Sequence, residues 1–232
     1  MVKIKFMYND KIEYLDYLFK NQIYVATEEL GYEKLPLIVL NKNLDFNKYN
    51  NEFLEKGYCV IDDFLDPFYC ERLRKFMLTI NFRNDIYNGY ASVNFSKNGN
   101  NIWFRLLTNI SDEIKTNFRF LSNLNYSRGW SFIHENTQDK TVGKHSDPGA
   151  LITFNIWCTP NECILKDSEE YNGIVIYDTF NIKEVDKVKK NLVRYKFNRV
   201  TIFDSRKIHE SLLSNFKPGY ENRKVNYTFL YL

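Results

Sequence analysis

Short apolar runs, each followed by turn-forming residues, fill the sequence from Tyr90 onward. They lie around Trp103 and at residues 130–133, 142–145, 150–157, 173–177, 200–203, 208–213 and 224–232. Runs of this length bounded by Gly, Asn, Asp and Pro are typical of strands joined by turns. The sequence therefore predicts a mainly β fold with flanking helices (α+β), built as an antiparallel sandwich, barrel or jelly roll.

Helix signals flank and interrupt these runs. Gly57 ends a short helix, and Asp66-Pro67 supplies an N-cap and a first-turn proline for a second helix that continues to about residue 80. Residues 181–184 read Asn-Ile-Lys-Glu, a capping-box pattern, and apolar residues follow at helical spacing as far as Leu192. We therefore expect another helix after Asn181.

The length of 232 residues suits one domain of ordinary size with a short extension. The 19 Phe, 17 Tyr and 3 Trp residues are ample for a packed core, which excludes a wholly disordered chain. Residues 1–50 hold no group of side chains that could do chemistry. We interpret them as an N-terminal extension packed on the core, and residues 51–232 as the functional domain.

Charge and hydropathy exclude several classes of partner. The formal net charge is only +3, so no strong field attracts nucleic acid or an acidic membrane. Apolar stretches fall well short of the roughly 18–20 residues that span a bilayer, and the first residues lack a signal-peptide pattern. We expect a soluble, intracellular and cytoplasmic protein without a membrane partner, whose four cysteines are reduced.

The three histidines of the chain include a pair suited to metal binding. His145 and Asp147 lie two residues apart, so both side chains leave a strand on the same side. His209 follows 62 residues after Asp147, at the start of another predicted strand. Two histidines and one carboxylate leave open positions on an octahedral metal, as in non-haem Fe(II) oxygenases. The alternative is that His145 and Asp147 are loop residues that hydrogen-bond their own backbone.

The last predicted strand begins with two basic residues, Arg223 and Lys224. Alternation along a strand places Lys224, Asn226 and Thr228 on one face and Arg223 on the other. A cation beside an amide and a hydroxyl suits carboxylate binding, so we prefer Lys224 as the inward residue. A register shifted by one residue would make Arg223 the inward cation instead. An ordinary solvated charge at a strand end is the remaining interpretation of either residue.

Taken in order, these motifs resemble the Fe(II)/2-oxoglutarate-dependent dioxygenases, and among them the prolyl-hydroxylase-like branch. The resemblance covers about residues 53–232. Its segments are residues 57–67, 145–147, 154–160, 172–177, 198–205 and 216–231. It implies a double-stranded β-helix (a cupin-like jelly roll) with His145, Asp147 and His209 as iron ligands.

The resemblance also implies a cosubstrate site and a reaction. A basic residue of the last core strand would bind the C5 carboxylate of 2-oxoglutarate; the branch usually has two arginines where this chain has Arg223-Lys224. The implied activity is hydroxylation of a protein or amino-acid side chain, coupled to conversion of 2-oxoglutarate and O2 to succinate and CO2, with ascorbate as reductant. The alternative is a non-catalytic jelly-roll binding module with a relic metal site, which would hold its partner through the basic segment 181–200.

Further residues are candidates for the cavity wall. Asn155 and Trp157 alternate on the strand after the His-x-Asp motif, where either could face the cosubstrate or pack within the sandwich. On the preceding strand, Ser131 and Ile133 could line the pocket, with packing in the core as the alternative. His134 is then expected to point away from the pocket, as a surface or hydrogen-bonded histidine.

Overall fold

The computed structural model describes residues 38–80, 85–87, 89–95, 102–137, 141–165 and 170–232. The apolar segments noted within residues 1–37 lie outside them. The described residues contain three α-helices: α1 (Phe46–Lys56), α2 (Pro67–Thr79) and α3 (Ile102–Asn117). They contain ten strands: β1 (Tyr58–Ile61), β2 (Asp85–Tyr87), β3 (Tyr90–Phe95), β4 (Tyr126–His134), β5 (Ile152–Trp157), β6 (Gly173–Tyr177), β7 (Lys190–Arg194), β8 (Val200–Asp204), β9 (His209–Ser211) and β10 (Val225–Tyr231).

The strands form two antiparallel sheets. The major sheet has seven strands in the order β1-β8-β5-β10-β4-β3-β2, and the minor sheet has three in the order β7-β6-β9. Strands that are far apart in the sequence, such as β5 and β10, lie side by side in the major sheet. This topology brings the segment that contains the His-x-Asp motif close to the last strand of the chain.

Alternation along the central strands divides the core in two. Phe154 and Ile156 of β5, with Tyr227 and Phe229 of β10, are buried in one apolar cluster with residues of all three helices. On the other face of the major sheet, Trp157 and Phe203 pack with residues of the minor sheet. The predicted fold is confirmed: a mainly antiparallel jelly roll with helices flanking one face.

The helix signals before residue 80 are confirmed. Gly57 adopts the left-handed conformation (φ 70°) and its amide donates to the carbonyl of Phe53, which ends α1. The Asp66 side chain accepts a hydrogen bond from the amide of Phe68, and Pro67 begins α2. Helix α1 begins at Phe46 and so crosses position 50, where we place the boundary of the extension.

Three predictions of local structure are wrong. The segment around Trp103 belongs to α3, whose buried residues Leu106, Leu107, Ile110 and Ile114 recur at helical spacing. Residues 142–145 form no strand: His145 makes an isolated bridge to His209, and the carbonyl of Val142 accepts a hydrogen bond from the amide of Ser211.

The third correction concerns the segment after Asn181. Its side chain does cap the following turn, but that turn is a 3-10 helix of three residues, Ile182–Glu184. Ile182 is exposed, so the apolar stripe is not buried as a unit. Leu192 instead lies in β7 and pairs with Val175 of β6, because a neighbouring strand offers the segment backbone partners. None of the described helices is long and apolar enough to cross a membrane.

Candidate active site

Two short loops and a strand end bring His145, Asp147 and His209 together. Their potential ligand atoms all lie within 4.8 Å of one another. One carboxylate oxygen of Asp147 lies 3.9 Å from Nε2 of His145, and the other lies 3.7 Å from Nε2 of His209. The three residues thus form one cluster despite the separation of His209 in the sequence.

Backbone pairing explains this convergence. The amide of His145 donates to the carbonyl of His209 (2.9 Å), and the amide of His209 donates to the carbonyl of His145 (2.8 Å). Directly paired residues of antiparallel segments place their side chains together, and the two imidazole rings have centroids 4.3 Å apart. The amide of Asp147 donates to the carbonyl of Ser205, which joins the acidic ligand to the loop that precedes His209.

Both imidazole rings are oriented by backbone carbonyls. Nδ1 of His145 lies 2.6 Å from the carbonyl oxygen of Gly143, and Nδ1 of His209 lies 3.0 Å from that of Lys207. A carbonyl oxygen only accepts, so each Nδ1 carries the proton and donates. This tautomer directs the Nε2 lone pair of each ring to the cluster, the arrangement expected of metal-binding histidines.

A chain of two hydroxyl groups orients Asp147. The Thr153 hydroxyl donates to one carboxylate oxygen at 2.8 Å, and the Ser205 hydroxyl lies 2.8 Å from the Thr153 oxygen. An ionised carboxylate only accepts, so the Thr153 proton is used there and Ser205 must donate to Thr153. Thr153 and Ser205 are both buried. Their hydrogen bonds fix the carboxylate so that the oxygen bonded to Thr153 lies toward His209 and the other oxygen lies toward His145.

The cluster has one exposed edge. The His145 side chain is 36% exposed, whereas those of Asp147 and His209 are 10% and 5% exposed. Burial lowers the pKa of His209 from its ordinary value, although the Asp147 charge opposes this effect. His209 is therefore neutral near pH 7, as a metal ligand must be. Access to the cluster from solvent is on the His145 side.

The donor set fits a divalent transition metal. Ligands about 2.1 Å from an octahedral ion lie about 3 Å apart at adjacent positions, slightly less than the distances found here between the Asp147 oxygens and the two Nε2 atoms. Two imidazoles and one carboxylate on one face leave three positions open, the set used for Fe(II) in non-haem oxygenases.

A cavity extends from this cluster between the two sheets. It holds about 570 Å³ of space outside the protein atoms, its open mouth included. The major sheet contributes alternate residues of three adjacent strands. They are Thr153, Asn155 and Trp157 of β5; Asn226 and Thr228 of β10, with Lys224 just before it; and Trp130, Phe132 and His134 of β4.

Lys224 is a buried cation within this wall. It is only 3% exposed, and burial lowers its pKa from 10.5 to about 8. Within the described residues no carboxylate forms an ion pair with the ammonium group, and burial alone lowers its pKa. A buried and uncompensated charge destabilises a fold, so its position in a cavity indicates a site for an anionic ligand.

Amide and imidazole groups line the same cavity as the lysine. Nε2 of His134 lies 2.9 Å from Oδ1 of Asn226, and the Asn226 amide nitrogen donates to Asn155 (3.3 Å). The His134 backbone amide donates to the carbonyl of Lys224, so these two residues are neighbours across adjacent strands. Their cavity-facing side chains form one polar wall.

The remaining candidate residues of β4 and of the start of β10 differ in whether they line the cavity. Arg223 is not part of the described cavity wall; its guanidinium carbon lies 5.1 Å from the ring centroid of Tyr220. Ser131 and Ile133 are buried outside the cavity, in agreement with the alternative of core packing. His134 is hydrogen-bonded, as expected, but it lines the cavity, so the expectation that it points away is wrong. Side chains do alternate between the two faces of β4, as predicted. Apolar and aromatic residues occupy both faces, however, so the sequence pattern does not show which face meets the cavity.

Sequence reasoning also missed Thr153, Trp130 and Phe132. For Thr153 a signal exists: polar Thr153 and Asn155 alternate with apolar residues along β5, as Asn226 and Thr228 do along β10. Polar residues at every second position of a buried strand mark a face that meets a site rather than the core. Trp130 and Phe132 offered no comparable signal.

Comparisons with known proteins bear on this fold and site. No protein-family model matches the sequence, and no curated protein resembles it closely enough in sequence to match. Solved structures do match. A prolyl hydroxylase from Trichoplax adhaerens, in complex with a hypoxia inducible factor peptide fragment, aligns with a TM-score of 0.54 and 16% identity over 81% of this chain and 88% of that chain.

Two further matches extend the range of chemistry. HygX from Streptomyces hygroscopicus, solved with nickel and 2-oxoglutarate bound, has a TM-score of 0.55 and 10% identity over 79% of this chain and 85% of that chain. The α-ketoglutarate-dependent epimerase SnoN from nogalamycin biosynthesis has a TM-score of 0.59 and 13% identity over 81% and 82%. The chain therefore has the fold of 2-oxoglutarate- and Fe(II)-dependent oxygenases, and the resemblance to prolyl hydroxylases is confirmed in the fold.

Proposed function

We propose that this protein is a non-haem Fe(II)- and 2-oxoglutarate-dependent dioxygenase that hydroxylates a protein or amino-acid side chain. One observation carries the proposal: the metal-binding cluster and the buried, unpaired Lys224 line the same cavity. A ligand for both must coordinate a metal and carry an anionic group. 2-Oxoglutarate has a keto acid at one end and a carboxylate at the other, so it meets both requirements.

The residues of the chain have separate tasks in this proposal. His145, Asp147 and His209 hold Fe(II), and Lys224 pairs with the C5 carboxylate of 2-oxoglutarate. Asn226 and Asn155 supply polar groups beside that carboxylate, while Trp157 and Phe203 exclude water. With O2, the bound metal and cosubstrate supply the oxidation that yields succinate, CO2 and one hydroxyl group on the substrate.

A protein or amino-acid substrate has support from the comparison. The Trichoplax prolyl hydroxylase was solved with a peptide fragment. In this chain the exposed edge at His145 leaves room for a second molecule to approach the metal. Hydroxylation accounts for both oxygen atoms of O2, because one enters succinate and the other enters the substrate.

Succinate formation tests the proposal. Purified protein with Fe(II), ascorbate, O2 and 2-oxoglutarate is expected to release succinate slowly alone and faster with its substrate, as measured by proton NMR. The Asp147→Ala variant is the matched control, because it loses a metal ligand, and it should release none. Folded, metal-loaded protein that neither binds 2-oxoglutarate nor forms succinate would contradict the proposal.

The competing hypothesis is a binding module with a relic metal site. Lys224 argues against it, because a relic cavity has no use for a buried charge that destabilises the fold. The oriented imidazoles and the Thr153 hydrogen bond to Asp147 argue in the same direction.

A further inference from the structure

Arg128 is an exposed cation held beside the metal-binding cluster. It lies on β4 opposite Leu230 of β10, which in turn lies opposite Thr153 of β5, the residue that hydrogen-bonds Asp147. Lys224 lies toward the other end of β10. The major sheet thus carries Lys224 in the cavity wall and Arg128 beside it, two residues before the cavity residue Trp130, and of these two cations only Arg128 is exposed.

Two contacts fix the position of the Arg128 guanidinium. Nη2 donates to the carbonyl of Pro148 at 2.7 Å, and the guanidinium carbon lies 5.9 Å from the ring centroid of Trp130. Pro148 follows the metal ligand Asp147 directly in the sequence, and Trp130 lines the cavity. Within the described residues no carboxylate pairs with Arg128. Most of its five N–H donors therefore remain for a ligand.

The open edge of the site determines how a second molecule can approach the metal-binding cluster. Of the three metal-binding residues, His145 is the most exposed, whereas the Lys224 end of the cavity is buried. A cosubstrate bound by Lys224 fills the buried end, so the molecule to be oxidised must approach from the open edge. Trp130 lines the cavity and Arg128 is exposed beside it, so the two offer an aromatic and a cationic group to such a molecule.

From this geometry, and resting on the proposed function, we propose that the molecule to be oxidised carries a carboxylate that Arg128 binds, with its body against Trp130. A planar guanidinium pairs with a carboxylate through two parallel hydrogen bonds. One arginine neutralises a single charge, which suits a carboxylate better than a phosphate dianion. The carboxylate is either that of a free amino acid or an acidic side chain of a peptide.

Turnover of 2-oxoglutarate with matched compounds tests this inference. Succinate release by the Fe(II)-loaded protein is measured with each of the common free L-amino acids and with its carboxamide. A second arm uses Glu- or Asp-containing peptides and their Gln or Asn counterparts. In one arm, we expect the acid to stimulate succinate release at least about 10-fold more strongly than its neutral counterpart does. That arm identifies the source of the carboxylate.

The Arg128→Gln variant tests the residue itself. We expect its KM for the stimulating acid to rise about 10- to 100-fold, with kcat and the KM for 2-oxoglutarate nearly unchanged, and Arg128→Lys to recover part of the loss. Arg72→Gln is the matched control, because Arg72 also lies over an aromatic ring, that of Phe68, but Phe68 does not line the described cavity as Trp130 does. It should leave all of these constants unchanged.

The outcomes separate this inference from the proposed function. Equal stimulation by acids and their neutral counterparts, or an unchanged KM in Arg128→Gln, would overturn the inference. If no acid stimulates succinate release although the protein binds 2-oxoglutarate in the presence of metal, the inference is also overturned. The proposed function is not affected by that result. Absence of metal-dependent 2-oxoglutarate binding would overturn both.

Discussion

The two ends of the cavity are stabilised in opposite ways. At the metal end, each group has a partner within the protein: carbonyls hold the two imidazoles, and Thr153 holds Asp147. At the other end, the Lys224 ammonium is buried with no ion-pair partner among the described residues. The metal end can therefore form without its ligand, whereas the lysine end opposes folding until an anion binds.

The difference in pairing between the two ends distinguishes residues that are compatible with a stable ligand-free fold from a residue that is explained by ligand binding. A lowering of the Lys224 pKa from 10.5 to about 8 corresponds to roughly 3 kcal/mol against the charged folded state. A charge that destabilises the free protein by this amount is explained by its ligand rather than by the fold. Substitutions at the two ends should therefore differ in their effects on stability.

The largest effect is expected from removal of a metal ligand. Asp147→Ala, and likewise His209→Ala, should lower the affinity for Mn(II) by more than the roughly 10- to 100-fold typical of outer-shell changes, and should abolish turnover. The free energy of unfolding should change little, because each cluster residue is a small part of the core. Calorimetric titration with Mn(II) measures the affinity, and near-normal affinity in Asp147→Ala would show that the cluster is not the metal site.

At the other end, Lys224→Ala should weaken 2-oxoglutarate binding about 30- to 1000-fold, since the C5 carboxylate loses its cation in a desolvated pocket. Affinity for Mn(II) should not change. The control is Arg223→Met, which removes the adjacent cation outside the described cavity wall and should leave 2-oxoglutarate affinity unchanged. A large defect in Arg223→Met with none in Lys224→Ala would reverse the assignment.

Lys224→Met sharpens the contrast in stability. The variant should raise the free energy of unfolding of the ligand-free protein at pH 7 by roughly 1–3 kcal/mol, because it removes an uncompensated buried charge. In the wild type, the contribution of Lys224 to stability should rise from about pH 8 to 10.5, since only the unfolded chain keeps the proton there. Urea denaturation at several pH values measures both effects; equal stability of variant and wild type would contradict the account of this end.

The lowered pKa of Lys224 also predicts a pH dependence of binding. Affinity for 2-oxoglutarate should be constant below about pH 8 and fall above it by about 10-fold per pH unit, because binding then requires proton uptake. Lys224→Arg should bind more weakly than the wild type at pH 7 but should not show this fall, since arginine stays charged. A fall of the same size in Lys224→Arg would assign the pH dependence to another group.

A smaller effect is expected from the hydroxyl chain at the metal end. Thr153→Val keeps the shape of the side chain but removes the donor to Asp147, and should lower Mn(II) affinity about 10- to 100-fold. Thr153→Ser should restore most of the affinity. The matched control is Thr201→Val on β8, because the buried Thr201 hydroxyl has no partner within the described residues. If both valine variants lose the same affinity, the role of Thr153 is packing alone.

The sequence predicted the parts of the molecule that depend on local pattern. Gly57 and Asp66-Pro67 marked helix ends correctly, because caps and left-handed residues act within one turn. The placement of Lys224, Asn226 and Thr228 on one wall followed from strand alternation. The strands predicted at residues 150–157 and 224–232 also overlap β5 and β10 closely.

Other features depend on partners that local pattern does not show. The segment after Asn181 forms one capped turn and then β7, because β6 offers it backbone hydrogen bonds. Thr153 and Ser205 meet only through the pairing of β5 with β8 and the loop that follows it. The position of Arg128 beside Pro148 likewise follows from the order of strands in the major sheet, which the sequence left open.

The central claim is that the two ends of the cavity hold one ligand. Titration of 2-oxoglutarate into the wild-type protein by calorimetry, with and without saturating Mn(II) and without O2, tests it most directly. The account predicts binding at micromolar strength with Mn(II) and binding at least about 10-fold weaker without it, because the keto acid end then lacks its partner. Equal affinity in both titrations, or no binding in either, would contradict the claim.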